Sequence, residues 1–268
     1  MKDKRKMNTN FKGCISISLY GDRAKYVYGA YENVKLASKI YPDWDVIIHI
    51  EEDHYAIDKL TSLGAKVRQH KKKPGSRGMF WRFEPADDCT YTHVVIRDAD
   101  SRLNVRGAAA TQEWVESGKS LHVMRDNKHH FKKSIMGGAW GIKTGTGLPM
   151  KKLIDEWAHN NKYGDDEKFL GEKVWQHFYG KNDFLRHCFK PGSDDDTPFP
   201  DHAPYDGFVC EPIVPKFDLD MKVVLLSPER YASRRERFNR YAEKADWLPS
   251  VDWYVAKTQE DRDRKSVV

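Results

Sequence analysis

Apolar and polar residues alternate along the first part of the chain with two different periods. Runs of period two, or of continuous apolar residues, predict β-strands, and apolar residues that recur every three to four positions predict helices. The strands are predicted at 14–20, 46–50 and 65–69, and the helices between them at 26–41 and 56–63. Pro42 and Gly64 end the two helices. This β-α-β-α-β order is typical of an α/β fold with an open, mostly parallel sheet flanked by helices.

A fourth strand is predicted at 94–96, where the apolar, β-branched run is typical of a strand that is buried on both faces. It leads through Arg97 into two carboxylates, Asp98 and Asp100, that are separated by one residue. If the strand continues, alternation places both carboxylates on one side, where they repel each other unless a cation lies between them. A hard divalent ion with oxygen ligands would neutralise the pair. The alternative is a polar strand end with an Asx turn.

Further elements follow this acidic stretch and the segment before it. Helices are predicted at 78–86, 108–118 and 152–160, and strands at 121–124 and 207–211. The polar, proline-rich segment 190–205 predicts a long irregular loop. Gly137 and Gly138 lie in a glycine-rich apolar stretch, which predicts either another strand or a backbone that closely approaches a ligand.

Two charged features have open interpretations. Asp165, Asp166 and Glu167 open a predicted helix, where acidic residues are favoured by the helix dipole, but three acids exceed what one helix start requires. Arg82 lies among aromatic residues. One interpretation is that the aliphatic part of its side chain packs in the core while its charge stays at the surface, and the other is that the side chain reaches a metal or phosphate site.

From Met221 the strand and helix pattern restarts. A strand at 223–226, a very basic helix at 229–244 and a strand at 251–255 are predicted. We therefore predict a first domain over 1–220, and an appendage or the truncated start of a second domain over 221–268.

The composition of the 268 residues, 39% hydrophobic and 32% charged, is that of a globular protein. The net charge of +6 permits an anionic partner, such as a nucleoside diphosphate or nucleic acid, without requiring one. The four cysteines form no C-x-x-C pair, so neither a disulfide framework nor a zinc knuckle is predicted, and a cytoplasmic location fits. No apolar run approaches the length of a membrane span.

The loop 20–25 after the first strand is a candidate nucleotide site, because ligands of such sheets bind at the carboxyl ends of the strands. It contains neither G-x-G-x-x-G nor a P-loop pattern. Dinucleotide oxidoreductases and P-loop kinases are therefore disfavoured.

Four strings in order, VVIRDADSRLN, HVMRDN, IMGGAWG and YGDDEKFL, resemble the metal-dependent nucleotide-sugar glycosyltransferases of the GT-A fold. The resemblance spans 13–211. In that family an apolar strand ends in D-x-D, and a later string like D-Q-D-x-L starts a helix; here Asp stands where Gln is common. The string LLSPERYASRRERF, after Met221, resembles the beginning of the lipooligosaccharide and collagen galactosyltransferase-like family.

The resemblance implies a nucleoside-diphosphate sugar as donor, with a UDP-sugar favoured, a saccharide or other hydroxyl acceptor, and Mn²⁺ or Mg²⁺. It assigns the metal to Asp98, Asp100 and His187, with His202 in reserve. It assigns the nucleotide and its phosphates to Ser18, Leu19, Tyr20, Lys25, Arg82, Arg97 and Asp98. It assigns the transferred sugar or acceptor to Gly137, Gly138 and Trp140, and catalysis to Asp165 and Asp166.

Two other classes of function stay open. A phosphoryl or nucleotidyl transferase also uses paired Asp residues with Mg²⁺, but it usually needs further acids at fixed spacing or a phosphate loop. A nucleic-acid-binding protein, or a transferase that acts on modified DNA, would use 71–73 and the basic helix 229–244. For both basic segments a solvated surface is the favoured interpretation.

Overall fold

The computed structural model describes residues 11–200 and 207–212. The second strand and helix pattern after Met221, and the predicted domain boundary at residue 220, lie outside these residues. Within the described residues, no helix combines the length and the apolar character that crossing a membrane requires.

A mixed sheet of eight strands forms the centre of the fold. The strands are β1 (Gly13–Leu19), β2 (Trp44–Glu51), β3 (Lys66–His70), β4 (His93–Arg97), β5 (Leu121–Arg125), β6 (Trp140–Lys143), β7 (Phe184–Cys188) and β8 (Asp196–Pro198). Their order in the sheet is β3-β2-β1-β4-β6-β5-β7-β8. In the described sheet, β6 is antiparallel to its neighbours β4 and β5, and every other pair is parallel. The α/β fold with a mostly parallel sheet is thus confirmed.

Helices cover the sheet. They are α1 (Ala24–Ile40), α2 (Ile57–Ser62), α3 (Val105–Ser117), α4 (Met150–Asp155), α5 (Asp165–Phe169) and α6 (Gln176–Tyr179). A π-helical segment, Leu170–Trp175, joins α5 to α6. Two 3₁₀ helices, a long one at Arg77–Asp87 and a short one at Lys128–Lys132, complete the set.

The alternation along β1 separates the two main parts of the core. Ile15, Ile17 and Leu19 pack with α1 and belong to one hydrophobic cluster, and Cys14 belongs to the other, which contains the aromatic residues of the long 3₁₀ helix. Ser16 and Ser18 lie on the second face, where their hydroxyl groups bond to the backbone of that helix. The serine positions of β1 therefore fix the helix that carries Arg82.

The structure corrects three predictions from the sequence pattern. The segment 207–211 is a turn and not a strand, because Gly207 and Cys210 have φ angles of 114° and 64° that extended backbone does not adopt. The proline-rich loop contains the short strand β8. Pro198 is tolerated in this strand because β8 lies at the edge of the sheet. The helix predicted to reach residue 160 ends at Asp155.

Candidate active site

Strands β1 and β4 are parallel neighbours near the middle of the sheet. From β1 the chain runs outward to β2 and β3, and it then returns to β4 on the other side of β1. The strand order therefore reverses between β1 and β4. Ligands of open α/β sheets bind beyond the carboxyl ends of the strands at such a reversal. The segment 20–25, which ends in the first turn of α1, follows β1, and the acidic stretch follows β4. We call the space at this reversal the crevice.

Asp98 and Asp100 follow β4 in a turn. Because β4 ends at Arg97, alternation along a strand does not position these carboxylates, contrary to the argument from the sequence. Each carboxylate accepts from a basic side chain, Asp98 from Arg82 and Asp100 from Lys25. Burial and the neighbouring charge of Asp98 raise the pKa of Asp100. The two carboxylates therefore interact, and the cations of the chain balance part of their charge.

Arg82 joins Asp98 to Asp166. Its Nη1 donates to Oδ1 of Asp98, and its Nη2 donates to Oδ2 of Asp166 at 2.8 Å. The backbone N–H of Arg82 donates to Oγ of Ser18 at 2.9 Å, and Oγ of Ser16 donates to the carbonyl of Arg82 at 2.7 Å. Burial acts to lower the pKa of Arg82, but the two carboxylates outweigh it and the pKa is raised. Arg82 is thus a fixed positive charge held between two acids.

Lys25 lies in the first turn of α1 and pairs with Asp100. Its Nζ donates to Oδ2 of Asp100 at 2.6 Å and lies 4.3 Å from the centroid of the Tyr26 ring. Burial acts to lower the pKa of Lys25, but the attraction of Asp100 outweighs it and the pKa is raised. Three carboxylates, those of Asp98, Asp100 and Asp166, are thus hydrogen-bonded to two basic side chains.

The structure separates the two candidate catalytic acids at the start of α5. Asp165 accepts from Nε1 of Trp157 and from the backbone N–H of Asn160, both at 3.2 Å, so it fixes the loop before the helix. Asp166 points to Arg82, and burial raises its pKa although Arg82 opposes the shift. Of the two acids, the structure brings Asp166 to the crevice.

Gly137 and Gly138 lie against the charged groups. A Cβ atom on Gly137 would lie 2.6 Å from Oδ2 of Asp166 and 2.8 Å from Nη2 of Arg82. A Cβ atom on Gly138 would overlap Oδ2 of Asp98 and lie 2.9 Å from its backbone nitrogen. The close approach that the glycine-rich stretch predicts is therefore made to the site carboxylates. The glycines precede β6 and are not part of it.

Two residues of α1 that the sequence argument missed hold the turn after β4. A Cβ atom on Gly29 would overlap the carbonyl oxygen of Ala99. Asn33 is fully buried; its Nδ2 donates to the carbonyl of Ser101 at 2.8 Å, and its Oδ1 accepts from the N–H of Leu103 at 3.0 Å. The sequence signal for this packing was the presence of a glycine and a polar asparagine among the apolar residues of the predicted helix.

The residues predicted to contact the nucleotide at the end of β1 differ in their surroundings. Leu19 is fully buried in the core with α1. Oγ of Ser18 accepts a hydrogen bond from the backbone N–H of Arg82. Tyr20 is half-buried against Gly78, and burial raises the pKa of its hydroxyl to about 12. Tyr20 and Lys25 are therefore the residues of this set with partly exposed side chains.

Three predicted site residues point elsewhere. Arg97 is buried and donates to backbone carbonyl groups, including that of Trp140 at 3.3 Å. The Trp140 side chain is fully buried in the core. His187 is fully buried on β7, where Nδ1 lies 2.9 Å from Nε2 of His122 and Nε2 lies 3.0 Å from Oε2 of Glu113. The structure does not bring these three side chains to Asp98 and Asp100.

No protein-family profile and no curated protein sequence matches this chain. Solved structures with a similar fold include a glycosyltransferase involved in the glycosylation of the major capsid of PBCV-1, with 11% identity and a TM-score of 0.45, over 67% of this chain and 82% of that one. A mannosyltransferase from Pyrobaculum calidifontis, in complex with GDP-Man and Mn²⁺, has 12% identity and a TM-score of 0.44, over 89% of this chain and 65% of that one.

A 4-diphosphocytidyl-2C-methyl-D-erythritol synthase from Anaerococcus prevotii is also similar, with 11% identity and a TM-score of 0.42, over 70% of this chain and 90% of that one. At these levels the likeness does not decide between activities.

Proposed function

We propose that this chain is a metal-dependent glycosyltransferase of the GT-A type, which moves a sugar from a nucleoside-diphosphate sugar to a hydroxyl acceptor. The observation that supports it is the linkage of Asp98 through Arg82 to Asp166, beside the pair of Lys25 and Asp100, at the strand reversal of the sheet. Transfer from a nucleoside diphosphate needs cations for the diphosphate and acids for the metal ion and the sugar. This crevice combines both.

The carboxylates of Asp98 and Asp100 fit a hard divalent ion. They are oxygen ligands on one turn, and the charge of Asp98 is close enough to raise the pKa of Asp100. In the proposed site Asp100 is the direct ligand, and Asp98 contacts the ribose or a metal-bound water. Mn²⁺ or Mg²⁺ bound there would neutralise the charge that develops on the leaving diphosphate. His187 is left out of this site, and His202 lies outside the described residues.

The other side chains of the crevice have roles that follow from their charge. Lys25 and Arg82 offer N–H donors to anionic phosphate oxygens, and charge-assisted bonds of this kind are the stronger class. Asp166 is the candidate base for the acceptor hydroxyl if the enzyme inverts, or a ligand of the sugar hydroxyl groups if it retains. A raised pKa makes a carboxylate a stronger base, and burial raises that of Asp166. Gly137 and Gly138 let the backbone pack directly against Asp166, Arg82 and Asp98, and in this way they would shape the pocket for the donor sugar or the acceptor.

The finer parts of this proposal rest on the resemblance in the sequence. A UDP-sugar is the favoured donor, and a saccharide is the favoured acceptor. The cytoplasmic location and the division of the chain at residue 220 stay predictions.

No observation on the described residues favours the other classes. The segment 71–73 is an exposed loop, as a solvated surface would be, and the basic helix 229–244 lies outside the described residues. A nucleotidyl transferase would share the metal and the crevice but would transfer a phosphorus centre. Product analysis after incubation with a nucleotide sugar separates the two, because sugar transfer releases a nucleoside diphosphate.

The test is a thermal-shift panel of UDP-, GDP-, CDP- and dTDP-sugars with and without Mn²⁺. A ligand that binds the native state raises the melting temperature, so we expect one nucleotide class to do so, and to do so more with Mn²⁺. Asp100→Ala is expected to keep the fold and to lose both the Mn²⁺-dependent shift and donor hydrolysis. Asp155→Ala is the matched control, because Asp155 forms an exposed pair with Lys151 at 2.6 Å. Hydrolysis that persists in Asp100→Ala would overturn the site assignment.

A further inference from the structure

A second group of metal-ligating side chains lies at the outer strands of the sheet. His49 of β2, His70 of β3 and Glu84 of the long 3₁₀ helix come together there. One ligand atom of each residue lies within 4.8 Å of one from each of the others. Neither histidine has a contact with Asp98, Asp100 or Asp166 among the described hydrogen bonds and ion pairs, so this group is distinct from the crevice.

The register of the two strands explains how the histidines meet. His49 is paired with Arg68 across β2 and β3, and His70 lies two residues beyond Arg68 on the same face. His49 and His70 are therefore diagonal neighbours, which is within the reach of long side chains. Nδ1 of His49 lies 2.9 Å from Nε2 of His70. The ring of Trp81 stacks on that of His70 with centroids 4.6 Å apart and fixes its plane.

The charge nearest the two histidines in the strand register is balanced. Arg68, which is paired with His49 across β2 and β3, has its Nη2 2.6 Å from Oδ2 of Asp88. An ion at the histidines therefore does not face an unpaired cation from Arg68.

A hydrogen bond between the two rings accounts for the 2.9 Å distance between their nitrogens. It leaves Glu84 without a bond to either ring among the described contacts, because Oε1 lies 3.8 Å from Nδ1 of His70, too long for a hydrogen bond. The other histidine pair of the sheet differs, because His187 links His122 to Glu113 through a contact of 3.0 Å to the carboxylate. A tetrahedral ion with bonds of about 2.05 Å holds two nitrogens about 3.3 Å apart, so binding would widen the distance between the rings by a few tenths of an ångström and draw in the partly exposed Glu84 side chain.

We propose that His49, His70 and Glu84 bind one Zn²⁺ ion, with water in the remaining position. Two histidines and a glutamate are a known zinc ligand set. The ion has access from solvent, because the side chain of Glu84 is 37% exposed. It would tie the outer strands to the 3₁₀ helix, two residues from the arginine that joins the carboxylates of the crevice. The proposal does not depend on the donor chemistry.

The test is a Zn²⁺ titration of the full chain after removal of metal by a chelator and dialysis, in competition with a chromophoric zinc ligand. The wild type is expected to bind one Zn²⁺ ion that His70→Gln does not bind. Glu84→Gln is expected to weaken binding by at least about 10-fold to 100-fold, because loss of even an outer-shell partner of a metal ligand costs that much. Glu113→Gln is the matched control on the other histidine pair and should leave binding unchanged. Asp100→Asn alters the crevice and should leave this ion in place.

Three outcomes would overturn the proposal. The first is a wild type that takes no Zn²⁺ from the competitor, and the second is equal binding by the wild type, His70→Gln and Glu84→Gln. The third is an ion that disappears in Asp100→Asn but persists in His70→Gln, which would place it in the crevice. Since His70→Gln removes a stacked ring, its fold is checked by circular dichroism. Glu84→Gln changes a partly exposed group and tests the site if His70→Gln does not fold.

Discussion

Nη2 of Arg82 donates to Oδ2 of Asp166 at 2.8 Å, and each of these side chains is only 7% exposed. The pair joins the long 3₁₀ helix to the first turn of α5. A buried ion pair adds little stability relative to apolar residues of the same size, but loss of one partner leaves an unpaired buried charge. Because Arg82 also pairs with Asp98, its loss would remove the positive charge between two acids.

We therefore expect Arg82→Met to lower the free energy of unfolding by about 3–5 kcal/mol at pH 7, as measured by urea denaturation. Arg82→Lys should recover only part of this loss, because an ammonium group cannot present two N–H donors in the planar arrangement of a guanidinium. Arg77→Met is the control: Arg77 lies on the same helix, and its exposed Nε bonds to Asn161 at 3.0 Å. Equal effects of Arg82→Met and Arg77→Met would contradict a buried, charged link.

The pH dependence of stability should report Asp100. Burial and Asp98 raise its pKa above the ordinary value of 3.8. A carboxyl group whose pKa is higher in the folded state binds more protons there, so its stabilising contribution is present below pH 3.8 and is lost as the pH rises through the raised pKa. In EDTA, Asp100→Asn should therefore gain stability relative to the wild type as the pH rises from about 4 to about 7.

Asp183→Asn provides the opposite sign. Although burial acts to raise the pKa of Asp183, its bonds from Ser120 lower the pKa below 3.8. This carboxylate stabilises the fold above its ordinary pKa, and the contribution is lost as the pH falls through the lowered pKa. The wild type should therefore gain stability relative to Asp183→Asn as the pH rises to about 4, and the difference should stay constant above that pH. Urea denaturation at several pH values checks both variants. A stability difference between Asp100→Asn and the wild type that stays constant from about pH 4 to about pH 7, as that of Asp183→Asn should, would show that the pKa of Asp100 is not raised.

The close packing of Gly138 on Asp98 should make this position intolerant of a methyl group. In Gly138→Ala the new Cβ atom would overlap Oδ2 of Asp98 and displace the carboxylate. A displacement of about 1 Å in a catalytic constellation costs about 100-fold in rate, so we expect a loss of that order in donor hydrolysis. Gly171→Ala is the control, because its Cβ atom would lie 3.8 Å from Oγ of Ser134, an ordinary contact. Retained activity in Gly138→Ala would mean that Asp98 can move without effect.

The sequence pattern predicts strands β1 to β5, because their apolar runs differ clearly from the helices in period, but it leaves β6 open and predicts neither β7 nor β8. It also locates the carboxylate pair after β4, but the expectation that strand alternation places the pair on one side was wrong, because β4 ends at Arg97 and a turn follows. It does not predict the bond between Arg82 and Asp166, because no local pattern encodes contacts between residues so distant in the chain. The same holds for His187, whose type fits a metal site but whose strand lies on the far side of β6 and β5 from Asp98.

Arg97 and Trp140 show a second reason why parts of the site could not be predicted. Both lie in motif strings that carry the resemblance, and both are buried in the structure. A motif records residues that occur together, and it does not separate those that contact a ligand from those that pack beneath it. The alternation of serine with apolar residues in β1 could be predicted from the sequence. The hydrogen bonds of these serines to the backbone of Arg82 could not.

Removal of Lys25 should change metal and nucleotide binding in opposite directions. Lys25 occupies Oδ2 of Asp100 at 2.6 Å, so an ion at Asp100 competes with it, whereas a diphosphate gains a cation from it. We expect Lys25→Gln to bind Mn²⁺ alone more tightly, and to bind the nucleoside diphosphate with Mn²⁺ about 10-fold more weakly, because a charge-assisted bond is lost. Calorimetric titration measures both. Lys35→Gln is the control, because Lys35 lies on the same helix in an exposed pair with Glu32. If Lys25→Gln weakened both ligands equally, Lys25 would serve to hold the turn and not to contact the diphosphate.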